Sequence, residues 1–138
     1  MAAVDWDFTI EANADFDRVL TWLDVNLDPV DVTGYSAKMQ IRDTDGALIT
    51  MLSTGNSRIT LGGVAGTITL HMDAADTAHL LGTETGSPHV HDLLMIDGTG
   101  NVTRLVQGEV VVSPGVTEIA YRAIEDAGVS FGDTLVAT

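Results

Sequence analysis

From Tyr35 to Arg42 apolar and polar residues alternate without a break. Tyr35, Ala37, Met39 and Ile41 share one face, and Ser36, Lys38, Gln40 and Arg42 share the other. Successive side chains point to opposite sides of a strand, so the pattern demands a strand with one buried and one wet face. A tight reversal precedes it. Pro29 fixes its own φ and drives Asp28 extended, Asp31 and Thr33 can bond nearby backbone, and Gly34 tolerates positive φ.

The same period of two recurs along the chain. Trp6, Phe8, Ile10 and Ala12 alternate with Asp7, Thr9 and Glu11, and a turn at Asn13-Ala14-Asp15 follows. Phe16 to Leu23 reads as a second strand with Phe16, Leu20 and Trp22 on one face. Arg18 is the odd member there, its stem laid on apolar surface and its head in water. Asp43-Thr44-Asp45-Gly46 is a hairpin turn leading into Ala47 to Leu52. Ile59 and Leu61, then Ile68, Leu70 and Met72, mark two more strands. Val90 to Ile96 is apolar on both faces, which predicts a central or covered strand. Val102 to Ser113 is the last long strand, stopped by Pro114-Gly115.

Two stretches break that period. Asp73 to Gly82 has an N-cap residue, alanines and a terminal glycine, which predicts a short helix of about two turns. After Pro114, Val116, Ile119, Ala120, Ala123, Ile124 and Ala127 recur at helical spacing, with Thr117 as N-cap and Gly128 as C-cap. The expected fold is therefore mainly β, an antiparallel β-sandwich with one short inserted helix and a C-terminal helix. Residues 1–117 form the sandwich, and 118–138 form a helical or extended segment for packing or oligomer contacts.

The chain carries 20 acidic and 6 basic residues, a net charge of −14. Phosphate backbones and anionic bilayers are held mainly by Lys and Arg, so neither nucleic acid nor a membrane surface is an expected partner. The acids crowd the first part of the chain. Asp5, Asp7, Glu11, Asp15, Asp17, Asp24, Asp28 and Asp31 face only Arg18 in sequence. A solvated surface, an acidic patch for a basic partner, or adaptation to salt would each produce this pattern. The N-terminus lacks the basic and apolar regions of a signal peptide, and no apolar run reaches the length of a membrane helix.

With no cysteine, thiolate metal sites and Cys nucleophiles are excluded. His89 and His91 fall on one side of a strand and are the candidate metal ligands, with His71 or Asp73 as a possible third. Asp43-Thr44-Asp45-Gly46 resembles the start of a calcium loop, but Ala47 to Leu52 offers no closing carboxylate, so the turn reading is preferred. No serine sits in a Gly-x-Ser-x-Gly elbow. Gly62, Gly63 and Gly66 lead into a strand and not a helix, which fails the context of a phosphate loop. Neither catalysis nor a cofactor is expected.

Several segments, taken in order, resemble a family of small tailed-phage structural domains found in tail-fibre, baseplate and neck proteins, including the N-terminal domain of siphophage upper baseplate proteins. They are Leu20-Thr21-Trp22, the run Pro29 to Arg42, Gly66 to Leu70, Asp76-Thr77-Ala78, Asp92-Leu93, and the run Val102 to Thr117. The resemblance spans about Phe8 to Thr117. It implies a non-enzymatic virion protein, a docking or adaptor module whose partners are other virion structural proteins and further copies of itself. Where that family often carries an aromatic before Asp-Leu, this chain has His91, which implies a packing position. Asp5, Asp7, Ile119, Ile124 and Phe131 are the expected partner contacts. The alternatives are a small carbohydrate- or metal-binding β-sandwich and a capsid decoration protein.

Overall fold

A computed structural model describes residues 3–81, 83 and 88–115. The strands in chain order are β1 (Val4–Asp5), β2 (Phe8–Glu11), β3 (Phe16–Thr21), β4 (Ser36–Arg42), β5 (Leu48–Ser53), β6 (Ile59–Leu61), β7 (Thr67–Met72), β8 (His89–Ile96) and β9 (Val102–Ser113). The helix α1 (Ala74–Ala78) follows β7, and a 3-10 turn at Gly63–Ala65 precedes it. One sheet runs β1-β9-β8-β4-β5, with β2 also on β9. The other runs β3-β7-β6. The chain is a mainly β sandwich of two sheets.

β4 behaves as its alternation demands. Ala37, Met39 and Ile41 are buried, Lys38 and Arg42 are exposed, and Gln40 and Tyr35 are half-buried. Its inner face meets Ile10, Leu93, Met95 and Val110 from its own sheet and Phe16, Ile59, Ile68, Leu70 and Met72 from the other, in one apolar cluster. Each such side chain, fully buried, contributes roughly 1.5–3 kcal/mol. β8 lies between β4 and β9, as apolar residues on both faces predict.

The pairings are antiparallel with one exception that corrects the sequence reading. The first strand is not the continuous antiparallel strand that the sandwich reading expected. It is two pieces, β1 and β2, both running parallel to β9. The break falls at Trp6 and Asp7. There Asp7 Oδ1 accepts the Glu109 N–H at 2.8 Å, a side chain replacing a backbone partner in the ladder. After β2 the chain crosses to the other sheet through Asn13 (φ 70).

Strand order β9-β8-β4-β5 facing β3-β7-β6 is that of a variable-type immunoglobulin sandwich. In that architecture a first strand also lies beside the strand corresponding to β3. Here the N-terminal pieces lie along β9, and among the described residues no strand pairs with the other side of β3.

The inserted helix is shorter than expected. It spans Ala74–Ala78 and gives way to turns before residue 82. Asp73 precedes it with extended backbone but its side chain makes no cap. That carboxylate turns to His71 Nε2 at 2.7 Å, while Asp15 Oδ1, from the β2–β3 turn, accepts the Ala74 N–H at 2.8 Å. Buried Thr77 adds a second tie, its hydroxyl donating to the Ala14 carbonyl at 2.8 Å. The expected C-terminal helix and segment 118–138 lie outside the described residues.

Candidate functional site

Three loops share one design. In each, an aspartate Oδ1 accepts the N–H groups two and four residues ahead, and the residue three ahead takes positive φ. Asp43 binds Asp45 and Ala47 with Gly46 at φ 92. Asp97 binds Thr99 and Asn101 with Gly100 at φ 94. Asp24 binds Asn26 and Asp28, but the third position is Leu27 at φ 66. Left-handed backbone costs a residue with a Cβ roughly 1–2 kcal/mol that glycine is spared. The acids of these loops are therefore structural, and the calcium-loop resemblance at Asp43 resolves into a turn. The Asp97 carboxyl is held down to about 2 by the side-chain bond from Thr99 and the backbone N–H of Asn101.

An apolar groove lies between the two sheets, and the loop that holds Leu27 leads off Leu23 in its wall. Trp6, Leu20, Trp22, Leu23 and Leu105 line it, Val4 and Asp5 sit on its rim, and its volume is about 380 Å³. Trp22 is fixed by its backbone, donating to Gly66 and accepting from Val30. Leu105 reaches the groove because β9 bulges: Leu93 pairs with Val106 and Leu94 with Arg104, leaving Leu105 as the extra residue. Beyond the groove Val25 and Leu27 are 96% and 76% exposed.

Strand edges differ in how they are finished. On β5, Asn56 Nδ2 and Arg58 Nη1 both donate to the Met51 carbonyl at 3.0 Å, and Asn56 Oδ1 accepts the Ser53 N–H. On β3 the pairing with β7 uses alternate residues. The His71 N–H bonds Arg58 and the Trp22 N–H bonds Gly66. Phe16, Arg18 and Leu20 therefore face β7, while Asp17, Val19 and Thr21 direct N–H and C=O away from it. Arg18 covers the Asp17 carbonyl at 2.8 Å. Among the described residues Val19 and Thr21 have no backbone partner on that side.

His89 and His91 do not form an exposed ligand pair. Both point into the sandwich and are 1% and 5% exposed. Nε2 of His89 donates to the Thr83 carbonyl and Nε2 of His91 to the Trp6 carbonyl, each at 2.6 Å. Nδ1 of each is buried and has no hydrogen-bond partner among the described residues. His91 lies opposite Gly108 and packs on Trp6 and Phe8, with ring centroids 5.8 and 4.8 Å away. Burial lowers its pKa against the Trp6 carbonyl, which raises it, so it is the neutral imidazole.

His71 is the opposite case. It stands half-exposed between Asp17 at 2.5 Å and Asp73 at 2.7 Å, and its pKa is raised by the side-chain bond to Asp17 and then by that to Asp73. The two carboxylates hold opposite ring nitrogens and do not converge on a point where a cation could sit. Among the described residues no group of three or more His, Asp or Glu is placed to hold a metal ion.

Of the expected partner contacts, Asp5 and Asp7 are exposed beside the groove, although Asp7 also spends one oxygen on Glu109. Ile119, Ile124 and Phe131 lie outside the described residues. The groove itself escaped the sequence reading. Its one signal is the consecutive apolar pair Leu105-Val106, a step out of the strand's period that marks a bulge.

No family model matches the chain, and no curated protein matches it. Among solved structures it is similar to a crystal structure of a chicken T-cell receptor, with 10% identity and a TM-score of 0.49. The match covers 83% of this chain and 57% of that one, so the chain spans little more than half the receptor chain's length. Nothing about binding or activity follows from a likeness at that level.

Proposed function

We propose that this chain is a non-enzymatic structural protein of a phage virion, a β-sandwich adaptor that docks onto other virion proteins of the tail, baseplate, neck or fibre. The docking half of the reading is carried by one observation: an apolar groove beside an edge of β3 that has no strand partner among the described residues. The placement of the polar groups favours it further. His71, His89, His91 and many of the acids are engaged in carboxylate and carbonyl bonds, turns and ladders, and among the described residues the groove carries Asp5 as its one ionisable lining residue. The virion half rests on the ordered segments from Leu20-Thr21-Trp22 to the Val102–Thr117 run that resemble tailed-phage structural domains.

Mass spectrometry of density-banded particles, from cells producing the phage that encodes the chain, tests the virion half. The chain is expected in the particle band at a fixed ratio to the major structural proteins. Recovery only from the soluble fraction would refute a structural role. Sedimentation of the purified chain with and without chelator separates assembly from the metal-binding alternative. A compact monomer that takes up a divalent ion through His89 and His91 would favour the latter.

A further inference from the structure

We infer that the edge of β3 and the groove beside it receive an extended segment from a partner protein, added as a strand to the β3-β7-β6 sheet, apolar at alternate positions and carrying Lys or Arg between them. This deepens the docking reading and rests on it. The virion assignment can fail without it.

Four observations converge. Val19 and Thr21 present N–H and C=O groups along an edge with no partner among the described residues, which is the template that strand addition uses. The other edges are short or covered: β6 has three residues, and β5 is capped by Asn56 and Arg58. Directly inward of the β3 edge lies the apolar groove, where every second side chain of an added strand would drop between Trp6, Leu20 and Leu105. Val25 and Leu27, in the loop that leads off Leu23 of the groove wall, add exposed apolar side chains after β3.

Charge selects the occupant. Asp5 lines the groove, Asp17 lies on β3, and Asp24 and Asp28 lie in the loop after it, all exposed, against Arg18, whose guanidinium sits 4.7 Å over the Phe16 ring and binds the Asp17 carbonyl. A second copy at net charge −14 would set acids against acids here. A basic segment would complete the rim, while its apolar side chains fill the groove.

The chain contains two tryptophans, Trp6 and Trp22, and both line the groove, so intrinsic fluorescence reads its occupancy. The test titrates the full chain with a short peptide alternating Val and Lys, and in parallel with one alternating Val and Glu. The Val–Lys peptide is expected to blue-shift the emission and to slow amide exchange at Val19 and Thr21, and the Val–Glu peptide to do neither. Val19→Pro removes an edge N–H that β7 does not use, and should weaken Val–Lys binding by about tenfold or more. Amide protection in the unaltered chain keeps the test valid should that variant fold poorly. Equal response to both peptides, or binding indifferent to Val19→Pro with no protection at Val19 and Thr21, overturns the inference. So does protection of those amides before any peptide is added, which would place a copy or a segment of this chain on the edge. A chain found in particles that ignores the Val–Lys peptide would leave the virion reading standing and remove this one.

Discussion

Gly108 is the position where one added methyl group should do most damage. A Cβ there would overlap the Trp6 carbonyl and crowd Asp7 Oδ1. Those groups cannot retreat cheaply. The Trp6 carbonyl accepts His91 Nε2, and Asp7 Oδ1 accepts the Glu109 N–H. Gly108→Ala should therefore lift β1 off β9 and strand a buried imidazole N–H. An unsatisfied buried donor costs about 1–3 kcal/mol. Loosening Trp6 from Phe8 and His91 adds about 0.5–1.5 kcal/mol. Alanine recovers roughly 0.5–1 kcal/mol of backbone entropy relative to glycine in a strand. The net is a loss of about 2 kcal/mol, within a span of roughly 0.5–4, or a fall in Tm of roughly 8 °C for a domain of this size. Urea unfolding followed by tryptophan emission measures it. Gly34→Ala and Gly46→Ala are the controls, because a Cβ at either meets nothing within 4 Å and only positive φ opposes it. Each should lose about 1 kcal/mol. A loss below about 0.5 kcal/mol for Gly108→Ala, with the His91 ring resonances unmoved, would refute the account of His91 as a bridge over Gly108.

Two further outcomes follow from the same geometry. Proton NMR should find His91 titrating below 6.5 and His71 above it. As pH falls below 6.5 the unfolded chain takes up a proton that folded His91 refuses, so His91 erodes stability on the acid side, whereas the His71 contribution is complete below 6.5 and fades as pH rises past it toward the raised folded value. The reverse order of the two titrations would contradict both environments. Leu27→Gly should stabilise the fold by about 0.5–1 kcal/mol, because relief of left-handed strain exceeds the entropy of freeing the unfolded chain. The same change should weaken binding of the Val–Lys peptide, and a chain that is more stable and binds equally well would remove Leu27 from the docking surface.

How much of this was legible in the sequence depended on whether a pattern is local. β4 was, because Ala37, Met39 and Ile41 obey a period that one sheet face enforces. The Asp43 and Asp97 turns were, because an Asp and a Gly three residues on carry the whole motif. The direction of β1 and β2 was not. Alternation is identical in parallel and antiparallel strands, and what decides between them is the crossing to β3 at Asn13 and the Asp7–Glu109 bond, a contact 102 residues apart. The capping of α1 was misjudged for the same reason. Asp73 has the chemistry of an N-cap, but His71 claims its carboxylate and Asp15 supplies the acceptor from across the sandwich. His89 and His91 were placed on one side of their strand, and which side faces the core depends on β4 and β9 pairing around them. The groove was least visible, because it exists only where the β9 bulge meets the end of β3.

The edges carry the argument furthest. An open strand edge invites aggregation, and this chain closes the β5 edge with two side chains on one carbonyl while keeping β6 to three residues. At β3 the only such device among the described residues is Arg18 over Asp17. Beside it the chain also keeps a leucine where its two sister loops use glycine. Fold stability gains from neither choice. Two local departures from rules the molecule otherwise obeys, one on β3 and one in the loop that follows it, are what a surface held ready for a partner strand requires.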